Sequence, residues 1–311
     1  MSELPGAPDG GPYPDPRSAF FLTVAAVVAS GFIGMFFLGL GAVAAIGIGQ
    51  ALAVGTIATI AAKRIPEPHV ERIGLRGFNF RSLPLVLCLV PAILLASEFD
   101  NYATDWSPSE AETTPSEDTG AAYDPLVDAP ENTDRDEEHE ETPEEIALEK
   151  LRVDLDDPWT LAQAFVISVG ITPVVEEFFF RGVIQQSLVA RLGMLRGVGL
   201  TALLYTLPHL PAVATLPRFF AGMISAFGIG CLLGLVRIAT GSILGSILLA
   251  SLTAFVGIFS FAVRKSIPLP GMNVEGTHLP ITVTIASIII LGWAVRAVYD
   301  EAVKRFDGDP H

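Results

Sequence analysis

The sequence predicts an all-α fold: a polytopic bundle of about eight transmembrane helices with a long acidic extramembrane loop. Half of its 311 residues are hydrophobic and only 17% are charged, whereas a soluble domain carries about 25% charged residues. Mean hydropathy is +0.51. The acidic residues are unevenly placed, because 22 of the 34 lie between Glu98 and Asp157, among only three basic residues. The net charge of −15 therefore belongs to one loop, and the rest of the chain is apolar and weakly basic.

This composition excludes two classes of protein. Acidic residues outnumber Lys and Arg by 34 to 19, so the chain lacks the basic surplus with which proteins neutralise nucleic-acid phosphates. We therefore expect no nucleic-acid partner. The two cysteines, Cys88 and Cys231, lie in apolar runs, which is not the pattern of a disulfide scaffold.

After an N-terminal tail, residues 1–17, we predict three transmembrane helices within residues 18–97. No ionisable residue occurs between Arg17 and Lys63, a run of 45 residues that would extend about 67 Å as one helix. One span needs about 20 residues, so this run predicts a two-helix hairpin that turns near Gly39 to Gly41. The third span, at about 82–97, is short and contains two prolines, which neighbouring helices can accommodate.

The first hairpin also carries a small-xxx-small pattern, which is typical of close helix–helix packing in membranes. The pattern is formed by Gly41, Ala45 and Gly49.

Residues 98–157 form the predicted acidic loop. Residues 100–142 are rich in Ser, Thr, Pro and Gly as well as acids, a composition that predicts disorder. Residues 143–155 alternate apolar and charged side chains, which fits either a short amphipathic helix on the membrane surface or a solvated helical segment. A dense carboxylate loop also suits a halophile-like, high-salt environment, or it serves as a spacer.

Residues 158–299 are predicted to form the transmembrane core, and residues 300–311 a C-terminal tail. Apolar runs occur at about 159–189, 196–215, 218–238, 241–263 and 280–299. With the N-terminus in the cytoplasm, 12 Lys and Arg residues fall on the inside and 6 on the outside, as the positive-inside rule requires. We therefore expect a plasma-membrane protein with both termini in the cytoplasm.

Three charged residues lie within the fourth span: Glu176, Glu177 and Arg181. A charge at the bilayer centre costs about 2.5–3.5 kcal/mol on the insertion scale. Glu177 and Arg181 have the i,i+4 spacing of an ion pair on one helix face, and a structural salt bridge would explain them. Glu176 points about 100° away, so it is free to face another helix as a functional carboxylate.

The fifth span contains a second polar position, in the segment YTLPH. Tyr205 and His209 share a helix face, while Pro208 and Pro211 distort the helix and make room there. His209 alone would fit a hydrogen-bonded core histidine. Together with Glu176 on the preceding span, its imidazole would activate a water molecule or hold a metal ion.

These residues carry a resemblance to a known family. The segment EEFFFR matches the E-E-x-x-x-R signature of the CAAX protease and bacteriocin-processing (CPBP) intramembrane endopeptidases, the group of the type II CAAX prenyl proteases. The segment YTLPH is similar to the second motif of the family, an aromatic residue four positions before a histidine. The resemblance covers about residues 159–260 and implies a bundle of about eight helices with peptidase activity.

The resemblance also implies roles for the matching residues. Glu176 corresponds to the general base that activates water, and Glu177 and Arg181 to a pair that orients it. His209 corresponds to the imidazole that holds the water or a metal, with Tyr205 beside it. The family is described both as metalloproteases and as glutamate-dependent enzymes, so Glu176 and His209 are candidate ligands for an ion such as zinc.

The last motif of the family, a histidine followed four residues later by Asn or Asp, is absent at the expected place. Aligned on the turn that begins at Thr240, these two positions fall on Ala250 and Ala254. The hydroxyls of Ser251 and Thr253 are candidate substitutes that would support the site. The loss of an oxyanion-hole donor typically costs about 10²–10³ in rate.

Three functions therefore compete. The first is an intramembrane endopeptidase that acts on membrane-associated, prenylated or leader-type peptide substrates by a Glu/His-activated water. The second is a catalytically impaired relative that acts as a membrane scaffold or binds a partner protein. The third is a transporter with Glu176 and His209 as a proton relay, although we find no repeat between the two halves of the sequence. Membrane lipid and a peptide or protein substrate are the expected partners.

Overall fold

A computed structural model confirms the all-α transmembrane bundle. The structure describes residues 11–107, 154–210, 215–274 and 276–308. Within these residues, seven helices are long and apolar enough to cross a membrane. The main elements are α1 (Pro16–Met35), α2 (Ala42–Ala62), α3 (His69–Ile73), α4 (Leu83–Leu87), α5 (Pro91–Asp105), α6 (Pro158–Leu192), α7 (Met194–Thr206), α8 (Leu216–Thr240), α9 (Ile243–Ala262) and α10 (Ile281–Gly308). The α4–α5 segment counts as one of the seven spans, from Phe80 to Asp105.

The predicted hairpin at the start of the chain is confirmed. Asp15 caps α1 by accepting a hydrogen bond from the backbone of Ser18, and a turn at Leu38–Leu40 leads into α2. Gly41 has φ of +98°, which a glycine tolerates better than other residues. A Cβ on Gly49 would meet the backbone of Ser30 and Gly34, so α1 and α2 pack in direct backbone contact at this glycine.

The third span extends further than the sequence predicts. Helix α5 begins at Pro91 and continues to Asp105, so residues 98–105, which we assigned to the acidic loop, are helical. The charges at this end are compensated, because the carboxylate of Glu98 accepts from the backbone N–H of Leu279 at 2.8 Å. The remaining acidic segment, including the predicted amphipathic helix up to residue 153, lies outside the described residues.

The fifth predicted span is shorter than the sequence predicts. Helix α7 ends at Thr206 and is followed by one 3₁₀ turn, Leu207–His209. Pro208 cannot donate the backbone hydrogen bond that a continuing helix would need. The chain therefore leaves the helical path at His209, rather than near residue 215 as predicted.

Helix α6 is the longest element and carries the charged cluster. Two π-helical segments, Val166–Ile171 and Phe178–Ile184, interrupt its α-helical hydrogen bonding. Such segments are frequent at functional sites. Glu176 lies between them, 18 residues after the start of α6 and 16 before its end, and is therefore close to the middle of the helix.

The helix ends meet at two opposite faces of the bundle. On one face, which we call the basic face, loop 63–82 contacts the α8–α9 turn: Ser242 donates to the carbonyl of Arg76 at 2.6 Å and Arg237 to that of Arg72 at 3.2 Å. At the other face, His278 contacts Asp105 at 2.8 Å. The basic face is the one that the sequence predicts to be cytoplasmic.

Candidate active site

Helix α6 places two glutamates and an arginine in the interior of the bundle. Glu177 and Arg181 are completely buried and Glu176 is 4% exposed. Phe179 and Phe180, which follow the glutamates, are also buried and pack in the core. Three charged side chains are thus held within an apolar bundle, where each needs a specific partner.

Glu177 and Arg181 form the ion pair that their spacing predicts. The Nε atom of Arg181 lies 3.3 Å from a carboxylate oxygen of Glu177, and its Nη2 donates to the carbonyl of Gly230 at 3.0 Å. The guanidinium also lies over the ring of Tyr205, 4.5 Å from the ring centroid. Apart from the ion pair, the Glu177 oxygens have no hydrogen-bond partner in the described part of the chain.

Arg181 makes one of two side-chain hydrogen bonds that join α6 to the backbone of α8. Gln185, one turn after Arg181, donates to the carbonyl of Gly234 at 2.8 Å. Gly230 and Gly234 are themselves one turn apart, and a Cβ on either would crowd a side chain of the neighbouring helices at 2.9–3.2 Å. Gly234 therefore makes room for the Gln185 amide, and Gly230 lets α7 pack closely against α8.

Glu176 faces His209, as the two motifs together predict. One Glu176 carboxylate oxygen lies 3.5 Å from Nε2 of His209. The other ring nitrogen, Nδ1, lies 2.9 Å from the carbonyl oxygen of Tyr205. A carbonyl oxygen only accepts hydrogen bonds, so Nδ1 carries a proton, and in the neutral ring Nε2 presents its lone pair to Glu176.

One polar contact of this site is not indicated by either motif. Gln50 of α2 donates a hydrogen bond from its amide to Glu176, and Gln50 in turn accepts one from the hydroxyl of Thr172 at 3.1 Å. Gln50 is the only amide side chain in the uncharged run between Arg17 and Lys63. That isolated amide was the one available signal, and it gave no indication of its partner.

The predicted substitutes on α9 do not contact Glu176 or His209 by hydrogen bonds within the described residues. The hydroxyl of Thr253 donates to the carbonyl of Ala250 in its own helix, at 2.8 Å. Ser246, earlier on the same helix, is buried, and its hydroxyl donates to the carbonyl of Ile243 at 2.9 Å. Ser251 is half-buried, so its supporting role, like that of Thr253, rests on the sequence prediction alone.

The other histidines lie away from the cluster or outside the description. His278 is held between Glu98 and Asp105 at the face opposite the basic face. His69 begins α3 and is exposed. His139 and His311 fall outside the described residues.

The residues of the site do not fit a zinc centre. A catalytic zinc commonly has three protein ligands, and Glu176 and His209 supply two. In the part of the chain that the structure describes, no group of three or more His, Cys, Asp or Glu side chains is placed to hold a metal ion.

Comparison with known proteins confirms the family resemblance. Residues 158–256 match the family model of the Rce1-like type II CAAX prenyl endopeptidases. No curated protein and no solved structure matches the chain. The matched segment contains α6, α7, α8 and most of α9, and therefore both glutamates, Arg181, Tyr205 and His209. At the level of the family, it supports a protease of the CAAX type, and together with the seven apolar helices it indicates an integral membrane protein.

Proposed function

We propose that the chain is an intramembrane endopeptidase in which Glu176 acts as general base. The observation that carries the proposal is the close approach of two groups from different helices, since a carboxylate oxygen of buried Glu176 lies 3.5 Å from Nε2 of half-buried His209. In this arrangement a water molecule can donate one hydrogen bond to the carboxylate and the other to Nε2. Such a water is oriented for attack within a protected interior.

The reaction then follows from the residues of the site. Glu176 takes a proton from the water, and the resulting hydroxide attacks the peptide carbonyl carbon, whose π electrons move to its oxygen. When the tetrahedral intermediate collapses, the C–N bond breaks, and Glu176 returns the proton to the leaving nitrogen. Positioned acid–base groups of this kind contribute about 10²–10⁴ in rate. No step requires a metal.

The surrounding residues orient the base. Gln50 binds one oxygen of Glu176, which leaves the other to face His209. Arg181 balances the charge of Glu177. The ring of Tyr205 packs against the His209 ring, with centroids 4.2 Å apart, and the backbone carbonyl of Tyr205 accepts the hydrogen bond from Nδ1 of His209. The carboxylate of Glu176 and the imidazole of His209 are therefore already oriented before a substrate binds.

The substrate class follows from the position of the site and from the family match. Glu176 lies near the middle of α6, so the peptide must be presented at or within the membrane. We propose membrane-associated peptides, prenylated or leader-type, as substrates. We also propose that the protein lies in the plasma membrane, with the basic face and both termini on the cytoplasmic side.

A second candidate function is a catalytically impaired relative that serves as a scaffold. It is favoured by Ala250 and Ala254, which carry no polar group where the family resemblance implies a histidine and an amide. It is also favoured by Thr253, whose hydroxyl is used within its own helix.

One experiment separates the two functions. The purified protein is offered a quenched library of prenylated and unmodified peptides and is compared with the Glu176→Gln variant. We expect cleavage that falls by at least about 10²-fold in the variant. Glu301→Gln is the matched control, because Glu301 is exposed on α10 beside Lys304. Cleavage that survives Glu176→Gln would rule out the proposed base, and a folded wild-type protein without any cleavage would favour the scaffold.

A further inference from the structure

A cavity of about 420 Å³ opens at the basic face, between loop 63–82 and the ends of α6, α8 and α10. Its lining includes five arginines from these four parts of the chain. They are Arg72, Arg76, Arg181, Arg237 and Arg305. Glu71 is the one acidic residue among the described residues that line it, so the cavity has a large excess of positive charge.

Two of the five arginines have an acidic partner in the part of the chain that the structure describes: Arg181 pairs with Glu177, and Arg76 pairs with Glu71. Arg76 contacts Glu71 at 3.5 Å, and both side chains are more than half exposed. Arg237 and Arg305 donate only to backbone carbonyls, those of Arg72 at 3.2 Å and Ala239 at 3.4 Å. Neither has an acidic partner within the described residues. Arg76 and Arg305 moreover lie close enough to Arg237 to oppose its charge.

Two glycines make room for the guanidinium groups of Arg237 and Arg305. Gly74 and Gly241 both have positive φ, +81° and +67°. A Cβ at Gly74 would overlap the guanidinium of Arg237, and a Cβ at Gly241 would overlap that of Arg305. Both arginine heads therefore rest directly on backbone, and the loop that carries Gly74 is fixed because its carbonyl accepts from Ile243 at 2.9 Å.

The inner end of the cavity reaches two fully buried side chains of α6. Arg181 is completely buried and its Nη1 has no hydrogen-bond partner among the described residues. Gln185 is 1% exposed. The cavity thus extends from an open mouth at the basic face to a buried, incompletely bonded cation.

We infer that this cavity binds a phosphate group. Converging arginines with free donors favour a compact anion with several oxygens, because the planar guanidinium binds phosphate oxygens in pairs. Basic cavities between transmembrane helices are also known to hold the head groups of anionic lipids. The phosphate comes either from such a head group or from a soluble phosphate, and the two sources share this chemistry. Arg181 lines this cavity and also pairs with Glu177, whereas Arg72, Arg76, Arg237 and Arg305 take no part in the proposed peptidase reaction.

The test compares two probes on the full chain. Native mass spectrometry of protein from vesicles of phosphatidylcholine mixed with phosphatidylglycerol measures retained lipid, and thermal unfolding in detergent with added inorganic phosphate measures binding of the free anion. The variants are Arg237→Gln/Arg305→Gln and, as matched control, Arg296→Gln, which removes an exposed arginine of α10 that pairs with Asp300.

We expect the wild type and the Arg296→Gln protein to retain one phosphatidylglycerol or to be stabilised by phosphate. The double variant should bind about 10²-fold more weakly, about tenfold for each arginine. Arg237→Lys, which keeps the charge but loses the planar pair of donors, should be intermediate and covers the case in which the double variant does not fold. Retention of lipid without a response to phosphate identifies the head group, and the reverse identifies a soluble anion. Equal binding by the wild type and the variants for both probes would overturn the inference.

Discussion

The Nδ1 atom of His209 lies 2.9 Å from the carbonyl oxygen of Tyr205, one helical turn earlier. This bond uses the proton-bearing side of the ring and turns Nε2 toward Glu176. It is available because α7 ends at Thr206 and the chain then makes a 3₁₀ turn at Pro208. The end of the helix therefore sets the orientation of the imidazole.

The first prediction concerns His209 itself. Replacement by Asn removes Nε2 from its position beside Glu176, so kcat should fall by about 10²–10⁴, with little change in the binding of peptide. Steady-state kinetics on a cleaved peptide measure both parameters. His69→Asn, at an exposed position on the basic face, is the control and should keep wild-type kinetics. An active His209→Asn protein would show that another group holds the water.

The second prediction concerns Gln50. Gln50→Leu removes the amide that binds Glu176, and a hydrogen bond to a charged group is worth about 1.5–3 kcal/mol. We expect kcat to fall roughly tenfold or more while KM stays close to that of the wild type. Gln186→Leu is a matched amide substitution, since Gln186 donates to the backbone of Tyr13 at the basic face. Unchanged kcat in Gln50→Leu would remove Gln50 from the positioning of the base.

The third prediction concerns the buried ion pair. Arg181→Met leaves the Glu177 carboxylate buried without its cation, which typically destabilises a protein by about 3–5 kcal/mol. The double variant Glu177→Gln/Arg181→Met removes both charges and should recover a large part of this loss. Thermal unfolding in detergent measures the three proteins. If the double variant is less stable than Arg181→Met, the pair is not the source of the effect.

The fourth prediction concerns pH and the histidine at the opposite face. Hydrogen bonds to Asp105 and then to Glu98 raise the pKa of His278, which lies in the loop before α10. Because the folded-state pKa is raised, the stability gained from this contact is fully present below the unfolded pKa of about 6.5. It is lost as pH rises through the folded pKa.

The measurement is the melting temperature of the wild type and of His278→Gln between about pH 5 and pH 9. The wild type should be more stable than the variant at the acidic end, and the difference should shrink toward the alkaline end. His69→Gln should show no such dependence, because His69 makes no contact with a carboxylate in the described structure. A difference in melting temperature that widens with increasing pH would contradict the raised pKa of His278.

The fifth prediction concerns helix packing in the first hairpin. Gly49→Ala places a methyl group against the backbone of α1 at Ser30 and Gly34, and overpacking of this kind costs about 1–3 kcal/mol. Gly31→Ala is the control, because nothing lies within 4 Å of a Cβ at that position. We expect a lower melting temperature only for Gly49→Ala. Equal melting temperatures would mean that the hairpin adjusts without cost.

Part of the site could be predicted from local sequence patterns. The pairing of Glu177 with Arg181 follows from their i,i+4 spacing, and the approach of Glu176 to His209 follows from two motifs on adjacent helices. The bond from Gln50 to Glu176 joins residues 126 apart, and a single amide among apolar residues does not name its partner.

The helix boundaries show where the pattern of apolar residues misleads. Apolar residues continue beyond His209, but Pro208 ends the helical hydrogen bonding. In the third span the reverse occurs, because Glu98 and Asp105 suggest a loop although they lie on α5. Their charges are tolerated since His278 and the backbone of Leu279 bind them, and those partners lie more than 170 residues away in sequence.

The bond from Gln50 to Glu176 makes the α1–α2 hairpin part of the proposed catalytic site, although the hairpin lies outside the matched segment 158–256. A truncated chain that keeps only the matched helices would retain both motifs and still lose the hydrogen-bond donor of its base. Grafting the two motifs onto another membrane bundle would likewise need an amide supplied from a neighbouring helix. The smallest unit that could carry the proposed activity is therefore defined by a contact between distant helices, and not by the extent of sequence similarity.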